Sequence, residues 1–455
     1  MIIKNIRTAA FFIMIITLFT GCEKFLSEKS DKSLSIPTTL DDLRAMLNNY
    51  NDLNNDFIVA GEISSDDYYL SDANFDALYH QSDKRLYTWQ SDYVISSGRD
   101  DWQKCYRPIY VCNSILHAIE NNKLVGPEAD EIRGQALVFR ASRYLDGVQV
   151  WAPAYNKLTA EIDLGMVLRT DPDMNIKSVR STVKQTYDLI IGDLEEAIRL
   201  LPLEDHDPFL PTKAVAYGLL ARCYLYMGEY EKALQSAQNA LANTRAEVLD
   251  FNTLDSNADF PIPVVKSFSK EIILNMGILY SEILDQSNAK ISPSLYNLYD
   301  DGDLRKMIYF QKNSDNSMAF KGTHFGYFWL TNSPTPAELL LTISECNARL
   351  GNLTNASEEL NMLAIKRWKT KEFEPYDFNN PEEALHTILT ERRKELVMRG
   401  LRWADIKRLN RDGHGITLTR KVKGQNFILP PNDLRFAIAI PETIIEISGI
   451  QQNPR

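Results

Sequence analysis

The chain has 455 residues, 44% of them apolar and 24% charged, enough for a large core in one or two domains. A net charge of −11, spread along the chain, excludes the basic footprint that nucleic acid requires and disfavours adsorption to anionic lipid. Besides Cys22 there are Cys105, Cys112, Cys223 and Cys346, too few for a disulfide scaffold at this size and expected to be small buried residues.

Lys4 and Arg7 precede an apolar run from Thr8 to Phe19, followed by Thr20-Gly21-Cys22. A bilayer span needs about 20 apolar residues, so residues 1–21 read as a secretory signal. The small residues before Cys22 resemble a lipobox, where bacterial lipoproteins are lipidated and cut, with Phe19 in place of the usual aliphatic residue. Residues 22–35 are polar, charged and aperiodic, a flexible tether to a single body over 36–455.

Within that body helical signal fades over about 50–100, which is rich in Asp, Asn, Ser and Tyr. Trp102, Tyr106, Ile109, Cys112, Ile115, Leu116 and Ile119 then form an apolar stripe at three-to-four spacing, so Trp102 is assigned to the core. A second long helix is predicted over 132–151, stopped by Trp151-Ala152-Pro153. Thr182 is the expected N-cap of a helix over 187–201 that ends at Pro202. Two segments, about 212–242 and 336–367, carry the spacing of tetratricopeptide helix pairs, with turns at Gly228 and Gly351. Between them lies a second irregular stretch, 251–332, interrupted by Pro261, Pro263 and Pro293. Loops this long are usually functional, and the two irregular regions are expected to share one face. The segment from Glu391 reads as one helix, ion-paired through Glu391, Arg392, Arg393, Lys394 and Glu395, with Leu396, Val397, Leu401, Trp403 and Ile406 buried. The expected fold is mostly α, with tetratricopeptide-like pairs as a scaffold and a long-loop, irregular ligand-binding face.

The sequence ERRKELVMRGLRWADIKRL from Glu391 closely resembles the most recognisable motif of the SusD/RagB family of surface lipoproteins. DDWQKCYRPIYVCNSIL from Asp100, ALVFRASRYLDGVQVWAPAY from Ala136, YDLIIGDLEEAIRLLP from Tyr187 and IAIPETIIEISGIQQNP from Ile438 agree with it in order. The resemblance implies a SusD-like fold and a nutrient binder of the outer membrane, facing the cell exterior. It further implies a partner, a SusC-like TonB-dependent transporter on which the protein sits as a lid. The ligand it implies is a glycan, or a peptide as in the RagB branch. In such proteins Arg392, Arg393 and Arg402 look like fold-holding residues, not ligand contacts.

Catalytic signatures are missing from the sequence. The histidines at 80, 117, 206, 324, 386 and 414 show no metal-ligand spacing, and no HExxH, Cys-x2-Cys, GxSxG, P-loop or GxGxxG occurs. No metal, cofactor or nucleic-acid partner is expected. A surface glycoside hydrolase built on adjacent carboxylates such as Asp66-Asp67, and an assembly scaffold without a small ligand, are the other classes considered. Sugar rings present C–H faces that pack on aromatic planes, and Tyr and Trp add a polar handle. Tyr68, Tyr69, Phe75, Tyr79, Tyr87, Trp89 and Tyr93 in the first region, and Phe325, Tyr327, Phe328 and Trp329 in the second, are therefore the candidates. Trp89 is placed first, with Asp66, Asp67, Tyr68 and Arg85 near it in sequence, and Trp329 next.

Lipidation at Cys22 is directly testable. Cells labelled with a radioactive fatty acid should show label in the wild type and none in Cys22→Ala; equal label in both refutes the lipobox reading.

Overall fold

The computed structural model describes residues 37–94, 101–203, 208–265 and 268–455. The signal segment, Cys22, the tether and His206 lie outside the described residues. The longer helices are α1 (Leu40–Leu47), α2 (Asp101–Asn121), α3 (Pro127–Trp151), α4 (Val183–Leu200), α5 (Lys213–Met227) and α6 (Tyr230–Asn243). They continue with α7 (Pro336–Arg349), α8 (Leu353–Ala364), α9 (Pro381–Glu395), α10 (Arg402–Arg411) and α11 (Glu442–Ser448). Extended structure among the described residues is confined to short antiparallel two-stranded ladders, so the mostly helical expectation holds.

Local chemistry sets the helix ends. Thr182 accepts from the Gln185 N–H and the Gln185 side chain accepts from the Thr182 N–H, a capping box that starts α4. Thr335 caps α7 and Asn380 caps α9, each followed by a proline whose missing N–H is not needed there. Gly228 closes α5 at φ 82°, a left-handed turn that glycine adopts at no steric cost, and α6 begins two residues later. α2, α3 and α4 pack side by side; α4 contacts α5, and the pairs α5–α6 and α7–α8 continue the stack through α6 and α7, with α9 against α7.

The segment from Glu391 is not one helix. α9 ends at Glu395 and α10 begins at Arg402, with Met398 at φ 57° and Gly400 at φ 69° between them. The Gly400 N–H donates to the buried Glu62 carboxylate at 2.8 Å instead of to a helical carbonyl. The apolar spacing ran unbroken because both sides of the bend bury against the same interior. Leu396, Val397, Leu401, Trp403 and Ile406 are all buried.

Neither irregular region is structureless. Short helices at Ala60–Ser64, Asp72–Ala77 and Gln81–Tyr87 organise the first, and it is tied directly to the second. Tyr68–Tyr69 pairs with Lys290–Ile291, the Phe57 N–H donates to Gly277 O at 2.9 Å, and Asn74 donates to Ser287 O at 2.9 Å.

Charged groups in the interior tie the stack to these loops. Arg305, fully buried, binds Asp303, Glu391 and Glu395; Arg367 binds Glu271 and Glu395; Arg408 binds Glu345 and Asp405. Next to this network Trp403 is 2% exposed, with its ring 4.8 Å from Phe436 and its N–H donated to Phe436 O. Trp403→Ala should therefore cost roughly 3–5 kcal/mol, read as a lower denaturant midpoint. An unchanged midpoint together with lost ligand binding would invert this assignment.

Candidate ligand-binding face

The residues placed first by sequence fall into the interior. Trp89 is 4% exposed and its indole N–H donates to Ser64 O at 2.9 Å. Its ring, with those of Tyr68 and Tyr87, surrounds the buried Arg420 guanidinium at 4.8, 5.2 and 3.8 Å. Arg420 in turn donates to the carbonyls of Tyr87, Ile63 and Ser65, and the Tyr68 hydroxyl donates to Ile63 O at 2.8 Å. These three rings belong to a cation–π core and offer no free face. Asp66 receives Arg402 at 2.7 and 3.0 Å and Arg393 at 3.1 Å, while Asp67 receives Arg393 at 2.9 Å. Both carboxylates are thus committed to holding the α9–α10 bend. Arg85 lies apart, donating to Asp92 O and facing the Tyr93 ring at 5.9 Å.

Trp329 belongs to a different group. Residues 277 and 331 form an antiparallel bridge, and the Ile278 N–H donates to Leu330 O at 2.9 Å. That register sets Tyr280 opposite Phe328, and their ring centroids are 5.8 Å apart. Tyr327 lies 5.9 Å from Phe328 and 5.4 Å from Trp329. Tyr280, Tyr327 and Phe328 are 49%, 39% and 48% exposed, so the rings form a continuous outer surface. Gly326 lets the turn come down on Val264: it sits at φ 73°, and a Cβ there would lie 2.9 Å from Val264 Cγ2.

Polar groups border the rings. The Tyr280 hydroxyl donates to Asp285 at 2.7 Å, and this contact, with a smaller contribution from burial, raises the phenol to about 12. Glu282 accepts the Tyr79 backbone N–H at 2.6 Å, which brings the 81%-exposed Tyr79 ring from the first irregular region to the same edge. Beneath the rings, Arg399 donates to Thr331 O and Ser333 O and contacts His324, fixing the loop from below. Apolar planes flanked by carboxylates can pack the C–H faces of a polyhydroxylated ligand and accept its hydroxyls. Sequence reasoning named Tyr79, Tyr327, Phe328 and Trp329 but not Tyr280. That residue ends an apolar run from Ile272, and only the strand register turns it outward.

A family model described as starch-binding and associating with the outer membrane matches residues 24–225, and the SusD family model matches 336–431. The chain belongs to the SusD family. A SusD-like protein of Formosa agariphila is 24% identical over 375 residues, covering 68% of this chain and 72% of the relative. The fold is shared with crystal structures of a SusD superfamily protein from Bacteroides thetaiotaomicron and a SusD-like carbohydrate binding protein from Bacteroides vulgatus. The first has TM-score 0.73 at 23% identity, with coverage of 92% and 100%; the second has 0.66 at 21%, with 90% and 97%. In this SusD-family chain the second matched stretch contains Arg367, Arg392, Glu395 and Arg408 of the ion-pair core, whereas Arg305 with Asp303, and Tyr280, Tyr327, Phe328 and Trp329, lie between the two stretches.

Electrostatics beneath the face are set by burial. Glu62 is fully enclosed, and desolvation with the neighbouring Asp67 pushes its carboxyl up to about 8. Burial would also raise Asp66, yet Arg402 and Arg393 hold it far below the usual carboxylate range. A raised pKa in the folded state favours the protonated form. Glu62's contribution to stability is therefore complete below about 4.5 and is lost as pH rises through about 8. Glu62→Gln mimics the protonated acid, its amide oxygen accepting from Gly400. It should melt near the wild type at pH 5 and a few degrees above it beyond pH 8; parallel melting curves across that range would refute the assignment.

Proposed function

We propose that this SusD-family protein is a cell-surface glycan-binding lipoprotein, anchored through lipid on Cys22, that hands oligosaccharide to a SusC-like TonB-dependent outer-membrane transporter. The observation that carries this reading is the exposed ring surface of Tyr280, Phe328, Tyr327 and Trp329, bordered by Asp285 and Glu282. Its rings are accessible, held in register by backbone pairing and mounted on a rigid base, so little ordering entropy is spent when a ligand binds. Binding without turnover is the activity such a surface favours, since its planes pack a ligand while Asp285 and Glu282 are engaged by the Tyr280 hydroxyl and the Tyr79 N–H.

A glycan array probed with the soluble body, starting after Cys22, identifies the ligand class. Peptide binding with no glycan binding would move the protein to the RagB type, and hydrolysis of a bound glycan would overturn the binding-only reading. For an array hit, Phe328→Ala and Tyr280→Ala should each weaken calorimetric affinity about fivefold, since a stacked ring contributes about 1 kcal/mol. Melting temperature should hold, because both rings are half-exposed. Trp89→Ala, in contrast, should lower melting. Unaltered affinity in both surface variants would remove the ligand from this face.

A further inference from the structure

At the C-terminal end of α3 an open pocket of about 550 Å³ lies between the loop after that helix, α10 and the chain's last residues. This is within the volume range of small-molecule sites. Lys407 on α10 lines it and is 3% exposed. Its ammonium donates to Gln149 O at 2.6 Å and to Ala152 O at 2.5 Å, two carbonyls that α3 leaves open at its end. Two of its three N–H bonds are thereby used. No carboxylate among the described residues lies within ion-pair distance of it.

The other charged groups around the pocket are otherwise engaged. Asp433 is taken by Arg435, and Asp163 accepts from the Thr159 hydroxyl at 2.6 Å. Arg411 donates to Tyr155 O and Tyr226 O and pairs with Asp412. A buried cation without a counter-ion is costly, and here burial alone pulls the amine down to about 7. The remaining N–H belongs to a side chain in the wall of an open cleft. Asn156, Asn432 and Gln451 supply amide groups around the cleft, and Phe436 and Leu434 supply apolar surface.

We propose that this pocket is an acidic-sugar site in which Lys407 receives a carboxylate or sulfate group borne on a saccharide. The choice of a saccharide rests on the glycan-capture reading above; the anion requirement rests on Lys407 itself. The open α3 carbonyls give the ammonium only the partial negative charge of a helix end. An arriving anion supplies a full counter-charge and raises the amine's proton affinity, so binding takes up a proton when it occurs above neutral pH.

Calorimetry of the wild-type body with galacturonate, galactose 6-sulfate, galactose and inorganic sulfate, from pH 6 to pH 9, tests this. Either or both acidic sugars should bind at least tenfold more tightly than galactose, with affinity falling as pH rises above about 7. Lys407→Gln keeps an amide donor for the α3 carbonyls and should abolish the preference. The pH dependence of the wild type decides the matter if that variant does not fold. Phe328→Ala should leave acidic-sugar binding intact, which separates this pocket from the aromatic face. Equal affinity for all three sugars overturns the proposal. So do inorganic sulfate binding as tightly as the acidic sugars, affinity independent of pH, and loss in Phe328→Ala with retention in Lys407→Gln.

Discussion

A guanidinium taken out of water must have its N–H groups hydrogen-bonded, and several that this molecule buries are ion-paired as well. Arg305, Arg367, Arg392 and Arg408 are each at most 1% exposed, and their carboxylate partners include both near neighbours, such as Asp303 and Asp405, and residues distant in sequence, such as Glu271, Glu345 and Glu395. Glu395 alone binds Arg305 and Arg367, joining α9 to the end of the α7–α8 pair and to the second irregular region. Arg408 reaches Glu345 on α7 and Asp405 on its own helix, and Arg392 shares Asp405. Removing one partner of such a pair strands a charge and costs about 3–5 kcal/mol, whereas replacing whole pairs by apolar groups can be neutral. The network's contribution therefore lies less in net stability than in joining α9, α10, the α7–α8 pair and the second irregular region through shared carboxylates.

That arrangement reaches the surface by short steps. Asp66 and Asp67 bring the first irregular region onto Arg393 and Arg402, on either side of the α9–α10 bend. Arg399, inside the bend, holds the carbonyls of Thr331 and Ser333, at the foot of the strand that carries Phe328. The exposed rings need no interior contacts of their own to be held in place. Their positions follow from backbone pairing between residues 277 and 331, which the bend underpins.

Much of this was legible in the residues and some was not, for physical reasons. Caps and breaks were readable because they are local: Thr182, Gly228, Gly351 and the stop at Trp151-Ala152-Pro153 act within a turn or two. The fold-holding role of Arg392, Arg393 and Arg402 was implied by the family resemblance, while their partners, Asp405, Asp66 and Asp67, emerge only in three dimensions. The bend at Met398 and Gly400 was hidden because an apolar stripe records which side is buried, not whether the helix is continuous. Trp89 was misplaced because an aromatic in a polar stretch reads alike whether it faces solvent or an arginine. Its environment is decided by Arg420, more than 300 positions away in sequence. Nothing in the sequence singles out Lys407; that it lacks a carboxylate partner among the described residues is visible only in three dimensions.

The division between buried charge and exposed ring sorts residues by what a change costs: Arg367, Arg392 and Arg408 lie in a matched stretch, whereas the proposed ligand face, and Arg305 beneath the surface, lie between the two stretches. Changing a fully buried arginine leaves an unpaired carboxylate in a low-dielectric interior, and few substitutions avoid that penalty. Changing a half-exposed Phe328 or Tyr280 usually alters stability by about 0.5 kcal/mol or less, while removing a large share of any stacking surface. On the proposed reading, stability and ligand choice reside in different residues of one frame. The frame tolerates new ring patterns between α6 and α7 without refolding, and a pocket such as that at Lys407, outside the aromatic face, can differ independently of them.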